Sequence, residues 1–215
     1  MIPVLPYTAE VLDSLLARYN AAVVPLPAAA VLMAVAVLGH AVRPVRGGDR
    51  LASLFLAVAW AWVGIVFQLR YAATIDFMAT LYGGFFVAQA ALLLWTGVVR
   101  KQLIYRVKDH AAGRIGCGLA VLAVAGYPLL CLLTGHNWMS LPWVGAAPDP
   151  TVLLTLGLLL TAQPVPRYLL VVPLMWSLVA GMAALSLDTP ERLILPAAAI
   201  LAAVIAERAR RTPTP

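Results

Sequence analysis

Charge is what this sequence has least of. Only 11% of its 215 residues are charged, against 63% hydrophobic, where a soluble domain carries about 25% charged residues. Too few polar groups remain to clothe a water-facing surface, which excludes an ordinary soluble domain. Cysteine is nearly missing too. Cys117 and Cys131 are the two in the chain, and on one helix their spacing separates them by about 21 Å. No disulfide spans that distance, so both read as small apolar packing residues. The three histidines, His40, His110 and His136, fall on different sides of the apolar runs. With no Cys-x-x-Cys, Cys-x-x-Cys-His or His-Glu-x-x-His, the sequence offers no compact metal or haem motif. Gly113, Gly116 and Gly118 lack the spacing of a phosphate loop and its Gly-Lys-Ser/Thr ending. Carboxylates are almost excluded from the apolar runs, which argues against a proton-driven pump. The start does not read as a secretory signal, because it lacks a basic residue and Glu10 and Asp13 interrupt it.

What is abundant is apolar sequence in runs that approach or reach the length of a bilayer crossing, about 20 residues. Six are placed at Ala21–Gly39, Leu51–Leu69, Ile75–Val99, Ile115–Thr134, Tyr168–Leu187 and Leu193–Ile205. A seventh, Thr151–Gln163, makes only about 20 Å of helix against a hydrocarbon thickness of about 30 Å. Charge decides how it is counted. With seven spans and the N-terminus outside, Arg43, Arg46, Arg50, Arg100, Lys101, Arg106, Lys108, Arg114, Arg167, Arg208, Arg210 and Arg211 lie inside. Only Arg18, Arg70 and Arg192 lie outside, so the 15 basic residues divide twelve to three in the direction set by the positive-inside rule. Treating 151–163 as re-entrant would strand the tail arginines outside. The net charge of +6 therefore orients the chain in a membrane, and no nucleic-acid partner is expected.

The expected fold class is all-α: a polytopic transmembrane helical bundle of seven spans with an N-terminal amphipathic helix. That helix is read at Thr8–Asn20, with Val11, Leu12, Leu15 and Leu16 on one face, and it either lies on the membrane or caps the bundle. The expected organisation is a surface helix over residues 1–20, a membrane domain over 21–207 and a basic cytoplasmic tail over 208–215. No internal repeat is visible, which lowers the prior for an inverted-repeat transporter.

The most distinctive stretch is 135–151, which holds His136, Asn137, Trp138, Trp143, Pro142, Pro148, Asp149 and Pro150 without a basic residue. It reads either as a proline-stiffened aromatic loop at the headgroup level or as a lid over a cavity, with His136 as proton carrier or ligand. Asp149-Pro150-Thr151 has the order of a helix start. If that start lies below the membrane surface, Asp149 becomes a polar site of the kind discontinuous membrane helices use. Within the spans, Gln68 and Gln89 are the polar residues that need partners, and Gln89 is nearest mid-helix. Asp76 reads as an interfacial pair with Arg70 and Tyr71. Gly83, Gly84 and Gly97 suit close helix packing, and Tyr127-Pro128 and Pro173 mark bends. The candidate ligand-binding residues are Asp149, His136 and Gln89; no catalytic or metal-ligating residue is assigned.

Several short stretches resemble one family of bacterial integral membrane proteins, the domain-of-unknown-function family 6064. They are Tyr7-Thr8 with Ala17-Arg18-Tyr19-Asn20, Trp60-Ala61-Trp62-Val63-Gly64, Tyr127-Pro128-Leu129-Leu130, Gly135-His136, the run 150–160, and Pro173-Leu174-Met175-Trp176-Ser177-Leu178 before Gly181. The likeness extends over nearly the whole chain. The family pattern places Cys-Pro where this chain has Asp149-Pro150, so thiolate chemistry is not carried over to that position. The resemblance implies a multi-pass protein of the bacterial inner membrane with no established activity. It names no cofactor. The leading expectation is a small-solute or ion transporter or permeation protein surrounded by lipid. The alternatives are a membrane-embedded enzyme and a non-catalytic subunit that assembles with a membrane partner or with itself.

Overall fold

A backbone surrounded by apolar side chains or lipid has to satisfy its own N–H and C=O groups, and helices do this within one segment. The computed structural model describes residues 5–107, 111–162 and 166–211, without the side chains of 209–211. Its regular elements are helices, and its β pairing among the described residues is a single isolated bridge, Tyr105 to Ala162. Lys108 and His110 of the basic loop, and the expected span end at Gln163, lie outside the described residues.

Four helical segments are long and apolar enough to cross a membrane: Gly48–Thr74, Ala79–Val99, Ala111–Leu133 and Tyr168–Ser186. The first is α3 (Gly48–Trp62), which continues through a widened π-helical stretch, Val63–Tyr71, and a final turn, Ala72–Thr74. The second is α4 (Ala79–Leu93), extended by the π turn Leu94–Val99. The third joins α5 (Ala111–Val121) to α6 (Tyr127–Leu133) through another, Leu122–Gly126. That widening lies where Pro128 removes a backbone donor, a usual site for π bulges. The fourth is α8 (Tyr168–Ser186).

Two helices before these, α1 (Ala9–Ala22) and α2 (Leu26–Val42), meet at 86° and together pass the same test, which makes a fifth. The chain is thus an all-α polytopic bundle with four long apolar helices, or five counting the bent pair. The other two expected spans fall short of the test for physical reasons. At 14 residues, α7 (Pro148–Thr161) is too short, and α9 (Ile194–Arg211) closes on a charged run, Glu207-Arg208-Ala209-Arg210-Arg211.

The short helix α7 is the axis of the molecule. All 14 of its residues are buried, as its sequence requires: leucine and valine occur all round it, leaving no polar stripe to face water. The threonine hydroxyls are spent locally, Thr151 donating to Ala147 O and Thr155 to Thr151 O, at 2.6 and 2.8 Å. Its main neighbour is α5, and the two approach at backbone distance. A methyl group on Gly157 would sit 2.6 Å from the Gly116 carbonyl oxygen, and one on Gly116 would sit 2.5 Å from the Gly157 oxygen. Small residues at such a crossing permit the dispersion contacts that hold membrane helices together. The helices α9, α8, α3 and α2 complete the wrapping.

Hydrogen bonds gather at two ends of this bundle. At one, Asp49 at the start of α3 holds the 100–107 connection. Arg106 grips both carboxylate oxygens at 2.7 and 3.0 Å, and the Tyr105 amide donates at 2.9 Å. His40 belongs to this clasp and is only 5% exposed. Its Nδ1 accepts from the Val45 amide, so Nε2 carries the proton and donates to Asp49 at 2.9 Å. The Val107 amide and the Ala41 carbonyl, then the Arg106 amide and the Thr161 carbonyl, tie this connection to the ends of α2 and α7. The other end carries α1, residues 134–149 and residues 187–193.

There α1 lies on the bundle with Leu12, Leu15, Leu16 and Tyr19 buried. Tyr19 donates to Ala146 O at 2.9 Å and accepts from the Trp62 indole at 2.8 Å, while Asn20 donates to the Met139 and Leu141 carbonyls. Three of these bonds join α1 to the loop that feeds α7, and the bond from Trp62 joins it to α3.

Candidate functional site

After α6 the chain turns at Gly135, whose φ of +98° suits glycine. It makes a short 3-10 turn at Trp138–Ser140, capped by the Asn137 side chain accepting from the Met139 amide at 2.9 Å. From Ser140 to Ala147 it runs almost wholly buried, so α7 starts inside the bundle. A helix start in that position needs few unsatisfied amides, and Pro148 and Pro150 remove two of them.

Asp149 occupies the first turn of α7 and is 8% exposed. Its two oxygens accept one bond each, from Tyr127 O–H on α6 and from Trp176 Nε1 on α8, both at 2.9 Å. Donors from two helices meet its oxygens, which is the condition for burying such a group at modest cost.

Asp149 also lines a partly open cavity of about 80 Å³. The polar groups on its wall are Tyr7, Gln68, Asp76, Tyr82, Asp149 and Arg192, and the rest is mainly apolar, including Leu12, Leu16, Phe67 and Trp176. Asp76 uses Oδ1 to accept from the Met78 amide at 2.8 Å. It makes no ion pair with Arg70 among the described residues, so the expected interfacial pair gives way to a turn cap facing the cavity. Gln68 is 2% exposed, and its Nε2 has no hydrogen-bond partner among the described residues. Arg192 is half-buried, and its Nε is buried without a partner among the described residues. Burial opposes its charge, but Tyr127 and Asp149 nearby raise its pKa above the ordinary arginine value. Burial, with Asp76 adding to it, pushes the Tyr7 phenol up to about 12.

His136 stands beside this cavity and does not line it. Its Nδ1 lies 2.9 Å from Asp13 Oδ2 on α1, and its Nε2 lies 3.0 Å from Glu191 Oε1. Both contacts are hydrogen bonds at once only when both ring nitrogens carry protons. The imidazole therefore ties the covering helix α1 to the segment that presents Arg192, one residue beyond Glu191.

Gln89 is elsewhere. Pro173 in α8 lacks the N–H that would bond the Leu169 carbonyl one turn earlier, and Gln89 Nε2 donates to that carbonyl instead, at 2.9 Å. Its role in this arrangement is to repair a proline gap between α4 and α8. The structure thus brings Asp149 to the cavity and His136 to its edge, and it separates Gln89 from both.

Sequence reasoning did not single out Arg192, Tyr7, Tyr82, Tyr127 or Trp176 as site residues. The available signal was Pro190-Glu191-Arg192, a charged pair at the outer start of the last apolar run. Among the described residues no group of three His, Cys, Asp or Glu side chains is arranged to hold a metal ion.

Comparison with curated proteins and with solved structures gave no match. The model of a family of unknown function, DUF6064, matches residues 9–214, and the chain belongs to that family.

Proposed function

We propose that this protein binds a small polar solute in the cavity at the start of α7 and passes it across, or admits it into, the membrane. The observation that carries the reading is the pair of unspent buried donors, Gln68 Nε2 and Arg192 Nε, on a cavity wall that also holds two carboxylates. Gln89 Oε1 and Thr189 Oγ1 are also unpartnered among the described residues, but of the four only Gln68 and Arg192 line the cavity. Each such donor costs about 1–3 kcal/mol when buried without a partner. A bound solute or water relieves that cost.

Seven crossings with the N-terminus outside fit this reading. They are α2, α3, α4, α5 with α6, α7, α8 and α9, and α1 is a cap on the outer face. The cavity then opens outward, and the Asp49 clasp lies at the cytoplasmic side. The helix α7 crosses without touching lipid, so its length need not match the bilayer. The basic tail from residue 208 faces the cytoplasm.

The test is uptake of glycine, acetate and methylammonium into proteoliposomes. At least one should enter faster than into protein-free vesicles. Asp149→Asn should cut that flux about tenfold or more, the scale of one lost charged hydrogen bond, while the variant still elutes as folded protein. Equal flux in wild type and Asp149→Asn would remove the carboxylate from the function.

A further inference from the structure

The chemistry of the cavity wall narrows the solute class. The two unpartnered groups, Arg192 Nε and Gln68 Nε2, are both donors, so the solute must bring an acceptor. A planar guanidinium and an amide on one cavity wall suit a carboxylate. A bare anion fails on charge, however. Asp76 and Asp149 line the same cavity as the single cation Arg192, and an added anion would make three negative charges against one positive. A bare cation fails on hydrogen bonding, since it would leave both buried donors empty.

Size restricts the choice further. A water needs roughly 10–15 Å³ of cavity, so about 80 Å³ accommodates on the order of five to eight non-hydrogen atoms.

We propose that the solute is a small zwitterion of the amino-acid type. Its carboxylate is taken by Arg192 and Gln68, and its ammonium by Asp76 and Asp149. The carboxylates have capacity for it: each Asp149 oxygen carries one hydrogen bond, and Asp76 Oδ2 has none among the described residues. Leu12, Leu16 and Phe67 leave an apolar wall for a methyl-sized side chain and none for a second charge. This assignment rests on the cavity being a solute site.

The experiment is calorimetric titration of the full-length protein in nanodiscs at pH 7 with glycine, L-alanine, acetate and methylammonium. Glycine and L-alanine are expected to bind at least tenfold more tightly than either half-molecule. Arg192→Gln should bring glycine down to the affinity of methylammonium, and Asp76→Asn should bring it down toward that of acetate. Arg192→Lys, which keeps the charge, should restore part of the affinity and reports on folding independently. Acetate or methylammonium binding as tightly as glycine would overturn the zwitterion and leave the cavity as a site for that ion. No binding by any of the four probes would also overturn it. The solute-site reading itself fails separately, when none of the probes enters proteoliposomes faster than protein-free vesicles.

Discussion

At the scale of single residues, the polar groups of this protein divide into those that repair the backbone and those that wait on a cavity. Gln89 belongs to the first kind. Gln89→Leu leaves the Leu169 carbonyl without a donor and should cost about 1–3 kcal/mol, read as a lowered Tm. In a Pro173→Ala background the backbone amide at that position can bond the carbonyl itself. The same Gln89→Leu change should then cost markedly less, and a double-mutant cycle measures the difference. Additive losses would show that the two residues do not share that carbonyl. Tyr7 gives a pH signature of its own. Its phenol is raised to about 12 by burial and by Asp76, while an unfolded tyrosine titrates near 10. The folded state holds the proton more strongly, so this contribution to stability is whole below pH 10 and is lost as pH rises through 12. Tyr7→Phe should flatten the alkaline fall in Tm over that window.

At the scale of elements, the contact between α5 and α7 depends on two glycines whose hydrogens face the opposing backbone. Gly157→Ala brings a methyl group within 2.6 Å of the Gly116 oxygen and 2.7 Å of the Ala120 nitrogen. Overpacking of that kind costs about 1–3 kcal/mol, and thermal unfolding in detergent should show it. Gly84→Ala is the control, because nothing lies within 4 Å of a methyl group there. It should leave Tm unchanged or raise it, since alanine favours the helix. The strap between α1 and residues 187–193 is a second element-level feature. His136→Ala cuts α1 from Glu191 and should weaken solute binding with little effect on the Asp49 clasp at the far end.

At the scale of the whole molecule, the testable quantity is topology. With Cys117 and Cys131 replaced by alanine, W138C places a thiol at an exposed position, 69% accessible, on the end that carries α1. R46C places one in the connection between α2 and α3. A membrane-impermeant maleimide applied to intact cells should label W138C and should label R46C only after lysis. The reverse pattern would invert the proposed orientation.

How much of this was legible in the sequence follows from which forces act locally. Scarce charge, long apolar runs and the uneven placement of arginine are properties of consecutive residues, and they determined the all-α membrane class. They also pointed to the unusual start at Asp149-Pro150, because a carboxylate beside prolines before a leucine run has few other uses. Gln89 shows where local reading fails: its partner is a carbonyl freed by Pro173, on another helix, 80 residues away in the chain. The short run 151–163 was legible as apolar, but its place as the fully buried axis was not, because burial on all sides depends on which helices surround it. Arg192 read as one of three outer arginines, since nothing in Pro190-Glu191-Arg192 shows that the side chain faces a cavity. The sequence by itself determined the solvent in which this chain folds and the elements it folds into. Only the tertiary structure decided which polar groups meet and which are left unpaired, because pairing between helices is set by their rotation and depth, which no linear pattern encodes.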